Sequence, residues 1–99
     1  MPRVPQWREQ PEPVWVICQQ VSESTHPDEV VVQFKNNGDE YTAFVPRKFV
    51  DIENRRLQAF IVADYDDSWL VDIPAETLTS GSRIRIHNPE KASVIIKAA

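Results

Sequence analysis

The chain has 99 residues, 41% of them hydrophobic and 26% charged, with a formal net charge of −4. That length suits one small globular domain, and the excess of acids argues against an all-over electrostatic grip on nucleic acid or anionic lipid. A single cysteine, Cys18, excludes an internal disulfide and a multi-cysteine zinc site, while two glycines, Gly38 and Gly81, are too few for a glycine-rich phosphate loop.

Residues 1–13 carry Pro2, Pro5, Pro11 and Pro13. Proline removes amide donors and holds the backbone extended, so this stretch reads as an N-terminal arm anchored by Trp7, followed by one β-rich domain over residues 14–99. Pro2-x-x-Pro5 fits the bare pattern of proline-recognition ligands, as any two prolines three apart do. No apolar run has signal-peptide length, and none reaches the roughly 18–20 residues of a membrane span, so a cytoplasmic chain with no membrane partner is expected.

From Val14 onward the apolar residues favour a period of two, the signature of strands. The first run, Val14 to Val21, is apolar on both faces, as in a central strand or one wrapped by the arm. The second, Glu29 to Lys35, places Val30, Val32 and Phe34 on one face, and Asn37-Gly38 supplies a two-residue hairpin turn into a third run, Glu40 to Val45. After Pro46 the stripe of Phe49, Ile52, Arg56 and Phe60 is thin, and a short helix near residues 47–57 is expected.

A second hairpin follows. Leu57 to Asp64 and Ser68 to Ile73 flank Tyr65-Asp66-Asp67, where aspartates can bond their own backbone, and Pro74 is expected to end the ladder. Arg83 to His87 alternates cleanly, with Ile84 and Ile86 inward. Asn88-Pro89-Glu90 then turns the chain into Ser93 to Lys97. Seven short strands with at most one short helix predict a mainly β fold, a small antiparallel barrel or sandwich, with an SH3-like barrel among the forms it could take.

Chemistry is sparse. His26 and His87 stand apart from each other and from Cys18, so no zinc set is spelled out. The acidic cluster Asp64, Asp66 and Asp67 fails as a calcium loop, because the required turn glycine would be Trp69 and the bidentate glutamate would be Ala75. No sequence signature links a nucleophile to a base, and Cys18 lies mid-strand among apolar residues, where cysteine is usually a small buried hydrophobe. No catalytic residue, cofactor or metal is therefore expected, and an enzyme is the least favoured reading.

Charge is the remaining organised signal. Residues 46–62 set Arg47, Lys48, Arg55 and Arg56 against two acids, and residues 80–99 set Arg83, Arg85, Lys91 and Lys97 against one. Convergence of these segments, with Phe49, would make a basic aromatic strip suited to single-stranded nucleic acid, although the neighbouring acidic segments oppose it. Trp69 shares a face with Val71 and Ile73 and is expected in the core, which leaves Trp7 as the better interface residue. The favoured reading is a non-catalytic binding or accessory module that engages another protein, or a second copy of itself, through a sheet edge, the aromatic arm or both.

Overall fold

The computed structural model describes residues 4–36, 38–65, 67–77, 81–87 and 95–97. Among them are nine strands: β1 (Gln6–Ile17), β2 (Gln20–Glu23), β3 (Glu29–Asn36), β4 (Asp39–Pro46), β5 (Val50–Asp51), β6 (Arg56–Tyr65), β7 (Ser68–Thr77), β8 (Gly81–His87) and β9 (Ile95–Lys97). All pairings are antiparallel, so the chain is a mainly β fold of the small barrel or sandwich kind.

Two features separate nine strands from the seven expected. The run Val14 to Val21 divides at Cys18-Gln19, where the chain changes partners. The Cys18 amide donates to the Arg55 carbonyl at 2.8 Å, and the Gln19 amide donates to the Gln33 carbonyl at 2.8 Å. β1 therefore pairs with β6, while β2 pairs with β3. Since the strand order runs β2-β3-β4-β7-β6-β1-β9, its two flanks are joined by this short junction, and the sheet curls into a half-barrel.

The second feature is β5, which lies inside the segment expected to be helical. Only Arg47–Phe49 forms a 3-10 turn; Val50 and Asp51 then pair with Leu57 and Arg56. Local hydrogen bonding explains the difference. The Asp51 carboxylate accepts from the Asn54 backbone at 3.3 Å and from its side-chain amide at 2.9 Å, a turn that competes with helix. Arg55, at φ 52°, then brings the chain back into β6.

The two hairpins follow their turn residues. Asn36 pairs with Asp39 across a two-residue turn in which Gly38 has φ 82°; Asn37 lies outside the described residues. Tyr65 pairs with Ser68 around Asp66-Asp67, with Asp66 also outside them. Pro74 does not end β7 as expected. The pairing with β6 stops at Asp72, but the strand continues to Thr77, which pairs with Ala43 of β4 and Gly81 of β8. Proline has no amide to give a ladder, and the β7–β8 register breaks between Asp72 and Thr77, around it. The turn expected at residues 88–90 lies outside the described residues.

The alternation sorts the side chains as expected. Val30, Val32 and Phe34 of β3, Leu57, Ala59 and Ile61 of β6, and Ile84 and Ile86 of β8 are buried together inside the curl. Trp69 is half-buried against this core. Phe34 stacks on its cross-strand partner Tyr41 with ring centroids 5.2 Å apart. Two polar residues are buried among the described residues, Asn36 and Ser68, and Asn36, 6% exposed, donates its side-chain amide to the Arg85 carbonyl at 2.8 Å. That bond joins the end of β3 to β8.

Candidate functional site

The outer face of β1, β6, β7 and β8 carries the densest set of exposed aromatic and charged side chains, and register explains how they meet. Residues directly opposite across a ladder share a face. Pro13 pairs with Phe60, Phe60 with Asp72, and Asp72 with Arg83, so one row crosses four strands on the side away from the core. Phe60 is 46% exposed because its neighbours Ala59 and Ile61 take the inward positions. With Pro11, Val62 and Asp72 it lines a shallow groove of about 300 Å³.

Trp7 flanks the same face. It is 57% exposed and pairs with Ala63, and the Arg83 guanidinium lies 4.8 Å from its ring centroid. Arg83 also donates to both carboxylate oxygens of Asp72, at 2.7 and 3.2 Å. One arginine thus links Trp7 to Asp72 of the groove lining. Arg85, the next outward residue of β8, lies 4.3 Å from the Tyr65 ring centroid and donates to the Ser68 hydroxyl at 3.1 Å.

The proline-rich stretch enters this face from its edge. It joins the sheet at Gln6, opposite Asp64, but between the Trp7–Ala63 and Glu12–Ile61 pairs four residues of β1 stand against Val62 alone. The β6–β7 register also breaks between Ile61 and Ala63. Arg8 spans the break, donating to the two oxygens of Asp64 at 3.0 and 2.9 Å and to Glu12 at 3.2 Å. The Arg8 guanidinium holds the Asp64 carboxyl below the ordinary aspartate value, chiefly by hydrogen bonding, against the opposing effect of partial burial.

The other basic segment makes a separate set of contacts. Arg47 donates to the Pro27 carbonyl at 2.9 Å and pairs with Glu23, holding the 3-10 turn against the β2–β3 connection. Arg55 donates to the Gln19 carbonyl at 3.3 Å, beside the β1–β2 junction. Arg56 pairs with Asp51 at 3.0 Å and lies 4.5 Å from the Trp15 ring centroid. Lys48 lies 5.1 Å from the Phe49 ring centroid and, with Asp28, Pro46 and Arg47, borders another shallow depression. Among the described residues, the contacts of Arg47, Lys48, Phe49, Arg55 and Arg56 share no partner with those of Arg83 and Arg85.

Three groove residues, Pro11, Phe60 and Val62, escape a reading based on charge. Phe60 had a usable signal: it is an aromatic at an outward position of an alternating strand, where a polar residue is usual. Trp15 and Tyr65 stand as further stacking partners for arginine. Cys18 is buried, and burial pushes its thiol up to about 11, which suppresses the thiolate. Among the described residues no three His, Cys, Asp or Glu side chains gather as a metal site requires, and no helix is long and apolar enough to cross a membrane. No family model, curated protein or solved structure matches the chain.

Proposed function

We propose that this protein is a non-catalytic interaction module that receives another protein on the outer face bordered by Trp7, Phe60 and Arg83. The exposure of two large aromatics on this face, one of them lining the groove, carries the reading. Tryptophan and arginine are the residue types that dominate interface energetics, and here an arginine is already oriented by Asp72 and stacked on the tryptophan. The sheet edges are less suited to a partner. Pro11 and Pro13 remove donors from the outer half of β1, β2 has four residues, and β8 carries Arg83 and Arg85 with one carbonyl taken by Asn36.

A basic strip for single-stranded nucleic acid is the second reading. It is weaker because Arg47, Arg56 and Arg83 each pair with a carboxylate, which lowers the positive potential offered to phosphates.

The test is capture of partners by wild-type protein and by Trp7→Ala, Phe60→Ser and Phe44→Ser variants, each with and without nuclease. Phe44, 45% exposed on β4, is the control aromatic. A partner that survives nuclease and is lost with Trp7→Ala and Phe60→Ser, but kept with Phe44→Ser, supports the reading. Retention by all four proteins overturns it, and nuclease-sensitive recovery of nucleic acid favours the basic strip.

A further inference from the structure

We propose that residues 6–11 form a strap that the Arg8–Asp64 pair clips to β6 and that opens and closes while the rest of the sheet stays formed. The strap is attached to β6 through the pairs Gln6–Asp64 and Trp7–Ala63, and its next registered pair is Glu12–Ile61. The arch between them lacks the regular ladder that would make its opening cooperative with the remainder of β1, and Pro11 has no amide to restore one.

The contacts that hold the strap are also of a different kind from those that hold the core. They are a bidentate ion pair, a second carboxylate at Glu12 and the stack of Trp7 on Arg83. Beneath it lies Ala63, fully buried yet outside the main cluster of core side chains. Lifting the strap therefore uncovers Ala63, and with it the Ala63–Asp64 edge of β6, without opening the interior where Val14 and Val16 pack. The strap shares Trp7 and its stack on Arg83 with the binding face proposed above, but its opening requires no partner and is read without one.

Residue-resolved amide exchange on the full chain tests it. In Arg8→Ala and Asp64→Asn the paired amides among Gln6, Trp7, Ala63 and Asp64 are expected to exchange about twofold faster, while residues 14–17 and 56–59 keep their wild-type rates. The charge-swapped double variant Arg8→Asp/Asp64→Arg is expected to recover most of the protection. Should a variant fold poorly, raising sodium chloride to about 1 M on the wild-type protein screens the clip and is expected to accelerate the same amides alone. Unchanged rates at Gln6 and Trp7 overturn the proposal, as does an equal acceleration along the whole β1–β6 pairing.

Discussion

Asn36 donates its side-chain amide to the carbonyl of Arg85, 49 positions away, and so pins the end of the β3–β4 hairpin to a strand that its own ladder does not reach. The donor is buried and its acceptor is a main-chain group, so the bond reports on register as well as on stability. Replacing Asn36 with Asp removes the donor and sets a carboxylate against a carbonyl oxygen. Asn36→Asp is expected to destabilise the fold by about 2–3 kcal/mol at neutral pH, and Asn36→Leu by less. Urea unfolding of the two variants checks both values and their order.

Leu57 is fully buried where β6 leaves the turn that meets the β1–β2 junction. Leu57→Ala leaves a cavity in a small core and is expected to reduce stability by about 2–5 kcal/mol. Phe60→Ala, three residues along the same strand but facing outward, is expected to change it by less than about 1 kcal/mol. Thermal melts of the pair distinguish a core position from a surface one.

Gly38 has φ 82°, in the left-handed region, and a Cβ there meets no atom within 4 Å. Gly38→Ala is therefore opposed by backbone conformation alone and is expected to cost about 1 kcal/mol. Gly38→Asn is expected to cost less, since asparagine tolerates that region. Melting temperatures compared across the three proteins give the answer.

The Asp64 carboxyl is held below its ordinary value by Arg8. Its contribution is fully present above the unfolded value, about pH 4, and is lost as pH falls through the lower folded value. The charged groups nearest the pair are Arg8, which keeps its proton throughout, and Glu12, which also bonds Arg8. Wild-type protein is expected to lose more stability than Asp64→Asn between pH 5 and about pH 2, by a few tenths of a kcal/mol because the pair is partly solvated. Denaturation midpoints across that range test the sign.

Cys18 donates to the Val16 carbonyl at 3.6 Å and is pushed up to about 11 by burial. At pH 8 the native protein is expected to resist a thiol reagent that labels the urea-unfolded chain within minutes. Since the folded value is raised, the stability linked to the neutral thiol is present below the unfolded value of about 8.5–9 and declines as pH rises toward 11. Cys18→Ser is expected to remove that alkaline loss, while costing about 1–3 kcal/mol from a less readily buried hydroxyl.

The alternation of Val30-Val31-Val32-Gln33-Phe34 and of Arg83-Ile84-Arg85-Ile86 was enough to read strands and their inward faces, because one buried face imposes a period of two. Asn37-Gly38 likewise marked its hairpin. What eluded the sequence depends on partners distant along the chain. The division at Cys18-Gln19 follows from acceptors on Arg55 and Gln33, and the extension of β7 beyond Pro74 follows from its pairing with Ala43. At the candidate site, Trp7 could be singled out by its type, but its link to Asp72 and Phe60 runs through Arg83 and exists only once four strands are in register. Arg55 was readable as a charge, yet its main chain and side chain both serve the β1–β2 junction.

The pairing of β1 also bears on how the chain acquires its fold. β3 and β4, and β6 and β7, each meet across a short turn and can pair as soon as both strands have been made, whereas β1 must wait for β6. Docking β1 against β6 and then against β9 closes the longest loops in the fold, so it is the step that carries the largest loop-closure entropy. Until it is complete, Val14-Trp15-Val16-Ile17 remains an uncovered apolar segment able to pair with other chains. The pairing that covers β1 thus also ends the interval in which nascent molecules are most exposed to aggregation.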